Sequence, residues 1–270
     1  MTALMYHDVV AAGAEDTSGF PGRDAALYKV TPELFEKHLT AIETGSVVGR
    51  AFQARQAHNP ETAALHPTIT FDDGGVSAMT AADALERHGF TGHFFITTNY
   101  IGTRGFVTEQ NLRELRERGH VIGSHSCSHP LRMGHCSRAQ LLDEWTRSRS
   151  MLAEMLGEGV DVASVPGGDF APQVAEAAAR AGFTRLFTSE PTLDTRHAFG
   201  LTLLGRFTIQ RWTTAQTAAA LAAGAWLPCA RRAVVWNAKK ISKRVGGERY
   251  LQLRKLLLGD RSEVQWGDQR

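Results

Sequence analysis

Short apolar runs alternate along the chain with longer stretches in which apolar residues recur every three or four positions. The short runs predict strands at residues 3–6, 68–71, 92–97, 120–123, 160–165 and 184–188, with a weaker one around 203–209. The longer stretches predict helices with recognisable ends. Thr31-Pro32 offers an N-cap and a first-turn proline, residues 77–88 close at Gly89, and residues 108–118 close at Gly119. Over Arg138–Leu156, the residues Leu141, Leu142, Trp145, Leu152, Met155 and Leu156 form a stripe expected to face a core. Strand–helix alternation through about 68–190 predicts a parallel sheet, and periodicity leaves open whether it is open or closed into a barrel. No internal repeat or low-complexity linker interrupts the pattern.

Composition narrows the class. The chain has 270 residues, 43% of them hydrophobic, enough to bury a full core as one large α/β domain or two small ones. That excludes a disordered chain, and no run of about 18 apolar residues is present to span a bilayer. Cys127, Cys136 and Cys229 are too few for a disulfide framework and point to a reducing compartment. The opening MTALMYHDVV has no basic residue before its apolar stretch and reads as neither signal peptide nor anchor. A cytoplasmic placing is expected. Net charge is +2, but residues 1–230 hold 19 basic and 24 acidic side chains, whereas residues 231–270 hold 11 and 4. An acidic body thus carries a basic tail.

The strand at 68–71 runs into Asp72-Asp73-Gly74-Gly75. Two acids at the carboxyl end of a buried strand are costly unless paired or bound to a cation, and that end is where parallel α/β folds place their active sites. The glycines bend the chain, so that one acid can bind a metal while the other takes a proton. The competing assignment is a cap on the helix that starts near Ser77. A second buried strand leads into His125-Ser126-Cys127-Ser128-His129-Pro130. Histidines four apart share a face within one helical turn, and neutral imidazoles suit a divalent transition metal. Two histidines and one carboxylate leave coordination positions open, the pattern of a catalytic metal, and the second acid is then free to deprotonate water.

These residues resemble the polysaccharide deacetylase family. Thr70-Phe71-Asp72-Asp73-Gly74 and the His125–His129 segment match its motifs in form, order and separation, and the resemblance extends over residues 1 to about 210. It implies a distorted (β/α)7-type barrel and metal-dependent removal of the N-acetyl group from an amino sugar. By that resemblance Asp72 is the general base, and Asp73, His125 and His129 hold the metal, usually zinc (Zn2+). Family members commonly draw the proton for the departing amine from a Leu-x-Leu-His motif late in the domain. Here His197 lies in a polar loop context and Leu201-Thr202-Leu203-Leu204 lacks a histidine, but Leu4-Met5-Tyr6-His7 resembles the motif moved to the front, as by circular permutation. His7 is therefore the expected general acid, with Asp8 as its orienting partner; the alternative is a core histidine on the first strand. The family arginine that steadies the base is replaced by Ser164 in Ala163-Ser164-Val165-Pro166-Gly167-Gly168, and Arg185, Arg196 and Arg206 are the candidates to supply it. The family's tryptophan-containing fourth motif is not evident.

The expected organisation is a catalytic barrel over 1–212 and a helical, basic amphipathic C-terminal extension over 213–270. In that extension Val234, Ala238, Ile241 and Val245 form one apolar stripe among lysines and arginines, and Tyr250, Leu253 and Leu257 form another. Such a helix either packs its stripe on the barrel or lies peripherally on an anionic membrane. No nucleic-acid recognition motif is present, and an amino-sugar glycan is the expected partner. Two other functions share these residues: the same metal centre acting on a different amide, such as a formamide, cyclic ureide or imide, and a noncatalytic glycan-binding barrel.

Overall fold

The computed structural model describes residues 2–56 and 67–238. The central element is a nine-stranded sheet in the order β7-β8-β6-β5-β4-β3-β2-β1-β9. Its strands are β1 (Ala3–Tyr6), β2 (Thr68–Phe71), β3 (Gly92–Ile96), β4 (Val121–Ser124), β5 (Val162–Ser164), β6 (Arg185–Phe187), β7 (Thr195–Ala198), β8 (Leu201–Leu204) and β9 (Phe207–Thr208). All pairings are parallel except β7 with β8. The expected strands therefore form, within a residue or two at their ends. The weak pattern at 203–209 resolves into two strands. β7 was not anticipated because its sequence, Thr-Arg-His-Ala, is largely exposed and carries no apolar alternation.

Only Gly205 and Arg206 separate β8, which pairs with β6, from β9, which pairs with β1. One bent segment thus lies along both sides of the sheet and curls it into a distorted barrel, as the (β/α)7 expectation required. The bend needs glycine: a Cβ at position 205 would sit 2.4 Å from the Glu190 carbonyl oxygen.

The connecting helices are α1 (Arg23–Ala26), α2 (Pro32–Gln56), α3 (Ala78–Arg87), α4 (Glu109–Glu117), α5 (Arg138–Leu156), α6 (Pro172–Arg180) and α7 (Ala215–Ala222). Capping boxes start α4 at Thr108 with Asn111 and α5 at Ser137 with Gln140. The α5 stripe faces inward as its spacing required. Leu141, Trp145 and Leu152 are fully buried, and the Trp145 indole donates to the Val174 carbonyl at 3.2 Å. Outside the sheet these side chains join Phe35, Leu39, Leu85 and Val174 in one large core, while Ala3, Phe95, Val162 and Phe187 form a separate cluster.

α7 packs on α2 and β1, and a last helix runs over residues 226–238. That helix turns Cys229 inward but leaves Trp226 80% and Val234 68% exposed, with Leu227 and Ala238 exposed beside them. The first apolar stripe of the basic tail therefore faces away from the barrel at Val234 and Ala238. Its remaining members, Ile241 and Val245, and the second stripe at Tyr250, Leu253 and Leu257 lie outside the described residues.

Candidate metal centre and catalytic site

The carboxyl ends of β1, β2, β4 and β5 and the bend before β9 each deliver one or two polar side chains to one place. Asp72 and Asp73 follow β2, His125 follows β4, His7 follows β1, Ser164 ends β5 and Arg206 precedes β9. Strand-end logic singled out Asp72, Asp73 and His125 in the sequence, and the structure sets them beside one another.

Asp73, His125 and His129 converge. Asp73 Oδ1 lies 3.4 Å from His125 Nε2 and 3.4 Å from His129 Nε2, and one ligand atom from each residue falls within 4.8 Å of the others. Those separations are long for hydrogen bonds, and buried Asp73 Oδ1 has no hydrogen-bond partner. They match the edge of a tetrahedron of ligands, roughly 3.3 Å for Zn–N and Zn–O bonds of about 2.0–2.1 Å. The donor set and the orphaned oxygen fit a divalent transition metal. Burial favours the neutral form of Asp73, but His125, His129 and His7 outweigh it and hold the carboxyl well below its usual range. Burial likewise opposes the charge on His129, and Asp73 overcomes it, raising that imidazole.

The backbone is bent to achieve this. Asp73 (φ +76°), Ser126 (φ +64°) and His129 (φ +57°) occupy the left-handed region, which among the described non-glycine residues is otherwise visited only by Phe199. Such positions cost about 1–3 kcal/mol each and persist only where the surroundings over-determine them. Several contacts do so. The Glu144 carboxylate on α5 accepts from the Cys127 and Ser128 amides at 2.8 and 2.9 Å and from the Ser128 hydroxyl at 2.6 Å. Ser126 Oγ accepts from the His129 amide, and the His125 amide donates to the Ile96 carbonyl. Glu144 leaves no local signal in the sequence, because it lies on the polar side of α5, 17 residues from Cys127, with no motif around it.

Asp72 is 3% exposed and held by a fully buried arginine. Arg206 Nη1 donates to Oδ1 at 2.6 Å and Nη2 to Oδ2 at 2.8 Å. The same guanidinium donates to the Thr188 carbonyl and to Thr70 Oγ1, and lies 5.5 Å from the Phe95 ring centre. Of the three candidate arginines, Arg185 pairs with Asp161 and Arg196 with Glu190, and Arg206 is the one that pairs with Asp72. Burial pushes the Asp72 carboxyl up, but Arg206, His125 and His7 together bring it below its ordinary value. Ser164 is also at hand: its hydroxyl lies 3.2 Å from Asp72 Oδ1 and 2.5 Å from His125 Nδ1. Neither acid caps α3, whose N-cap is Ser77.

His7 is partly buried, its ring 5.0 Å from that of Tyr28, and its Nδ1 is buried without a partner. Asp8 does not orient it. Asp8 Oδ1 accepts from Ser18 Oγ at 2.5 Å and Ser77 Oγ at 2.8 Å, and Lys29 Nζ lies 3.6 Å from Oδ2. Successive residues on an extended backbone point to opposite sides, so Asp8 serves the neighbouring loop instead. Gly75 makes room for it, since a Cβ there would sit 2.0 Å from Asp8 Oδ1. Lys29 also donates to the carbonyls of Glu15, Ser18 and Phe20, setting the Phe20 ring 4.8 Å from that of His129. His197 is exposed on β7. The tip of Trp236, from the last helix, packs against Gly168 beside Ser189.

Fold and site together define an α/β barrel with an Asp-His-His cluster and an arginine-held acid at the carboxyl ends of its strands. The polysaccharide deacetylase family profile matches residues 61–186 of the chain. Peptidoglycan-N-acetylmuramic acid deacetylase PdaA of Bacillus subtilis is 27% identical over 129 residues, covering 47% of this chain and 47% of that protein. Peptidoglycan-N-acetylglucosamine deacetylase PgdA of Listeria monocytogenes is 32% identical over 111 residues, 40% of this chain and 22% of that protein. The chain thus spans about half the length, or less, of these curated relatives. The structure of Streptococcus pyogenes deacetylase PplD in complex with acetate superposes with a TM-score of 0.62 at 20% identity, covering 80% of this chain and 95% of that one, a likeness of fold.

Proposed function

We propose that the protein is a metal-dependent hydrolase that removes the N-acetyl group from an N-acetylamino sugar of an oligosaccharide, polysaccharide or glycan precursor. One observation carries the reading: an unpaired, buried Asp73 oxygen faces two imidazole nitrogens, next to a second carboxylate held ionised by Arg206. Asp73, His125 and His129 would hold the ion, zinc by the chemistry of the donors. When bound, a divalent ion supplies a Lewis acid that acidifies water and polarises the acetamide carbonyl. Asp72 takes a proton from the attacking water, and Arg206 keeps that carboxylate charged and oriented. His7 gives a proton to the departing amine, so that water and amide become acetate and free amine. The position of His7 directly after β1, the strand paired with β2 that leads into Asp72 and Asp73, supports this role and with it the permuted order of motifs.

The substrate class is supported by the names of PdaA and PgdA, both deacetylases of amino sugars in peptidoglycan. Release of acetate from N-acetylglucosamine oligomers or peptidoglycan fragments tests it, with Asp72→Asn as the control expected to keep metal and lose turnover. Full activity in Asp72→Asn removes the base assignment. Peripheral contact with an anionic membrane belongs to the same proposal. Its support is the exposed Trp226, Leu227 and Val234 face, next to a tail rich in lysine and arginine.

A further inference from the structure

Ser164 stands where the family resemblance leads one to expect an arginine, and Arg206 has taken over the bond to the base. The serine has a different set of contacts. It is fully buried, and His125 Nδ1 lies 2.5 Å from its hydroxyl and 3.1 Å from its backbone carbonyl. A carbonyl oxygen only accepts, so an imidazole nitrogen bonded to it carries the proton. The hydroxyl then accepts from the same Nδ1–H and has its own proton to give, and Asp72 Oδ1 lies 3.2 Å away to receive it.

We propose that Ser164 is a positioning residue of the metal centre. It fixes His125 as the Nδ1–H tautomer, turns the Nε2 lone pair toward Asp73 and His129, and ties that ligand to the base. This rests on the metal-centre reading above. A metal-bound histidine whose other ring nitrogen is bonded to a fixed acceptor is held in tautomer and orientation, and loss of such a partner typically weakens metal binding about 10–100-fold. Serine suits the position because its short side chain reaches both groups and shares Asp72 Oδ1 with the Arg206 fork.

The test has two arms, both on the full chain. In the first, zinc is titrated against a chelator of known affinity into the wild type and Ser164→Ala, with circular dichroism of the metal-free proteins as the folding control. The expected result is a folded variant that binds zinc about 10–100-fold more weakly. Binding within twofold of the wild type overturns the proposal. In the second arm, 15N spectra of ring-labelled histidine in the metal-free wild type report the His125 tautomer without any substitution. A proton on Nδ1 supports the proposal, and a proton on Nε2 overturns it, whether or not Ser164→Ala folds. A wild type that takes up no zinc, cobalt or nickel overturns the metal-centre reading and this inference with it, a result distinct from equal binding by the variant.

Discussion

Arg206 grips Asp72 with both prongs of its guanidinium, Nη1 to Oδ1 and Nη2 to Oδ2, across 134 residues of chain and with neither side chain open to solvent. The pair sits at the bend between β8 and β9, so the segment that completes the curl of the sheet also holds Asp72, the proposed base. A buried pair of this kind is not a source of net stability, but breaking it from one side leaves a charge stranded.

Arg206→Lys is therefore expected to fold yet lose the two-pronged grip, with acetate release falling about 10–100-fold at little change in bound metal. Arg206→Ala is expected to lose about 3–5 kcal/mol of stability. Steady-state kinetics and chemical denaturation check both. Wild-type turnover in Arg206→Lys contradicts the assignment.

His7→Gln removes the proposed proton donor without touching a metal ligand. Its kcat is expected to fall about 10²–10⁴-fold with metal content intact. Unchanged kcat assigns His7 to the core of the first strand instead.

Glu144→Ala removes three hydrogen bonds to the loop that carries His125 and His129, leaving the Cys127 and Ser128 amides without their acceptor. Weaker metal binding, by about tenfold, and a lower melting temperature are expected. Metal affinity that does not move shows that the left-handed turns at Ser126 and His129 hold themselves.

His93 supplies a pH dependence. Its Nδ1 is buried without a partner, and burial, aided by Arg185 and His120, lowers its pKa to about 4. The folded value lies below the ordinary 6.5, so the unfolded chain binds more protons in between. Stability from this group is fully present above about 6.5 and is lost as pH falls toward about 4. Melting temperatures across that window, in chelator, are expected to drop less steeply for His93→Gln than for the wild type. Parallel curves contradict this.

Much of the fold and most of the site could be read from the chain, because strand-end carboxylates and histidines announce themselves by local pattern. Thr68–Phe71 ends in two acids, and Val121–Ser124 ends in a histidine pair, so two short windows located the centre. Contacts made across the barrel left no local trace. Arg206 was one of three equal candidates until the bend at Gly205 placed it beside Asp72. Glu144 looked like any polar residue on an amphipathic helix. Asp8 was misassigned because adjacency in sequence to His7 suggested partnership, whereas alternation along the strand sends the two side chains apart. The polar edge strand Thr195–Ala198 went unread for want of any apolar period.

The measurement that bears most directly on the central claim is the metal content of the purified protein beside its His125→Ala and Asp72→Asn variants, with acetate release followed in parallel. Near-stoichiometric transition metal is expected in the wild type and in Asp72→Asn, loss of metal in His125→Ala, and acetate release from the wild type alone. A wild type that stays free of metal after reconstitution with zinc, cobalt or nickel, or metal that survives His125→Ala undiminished, contradicts the claim.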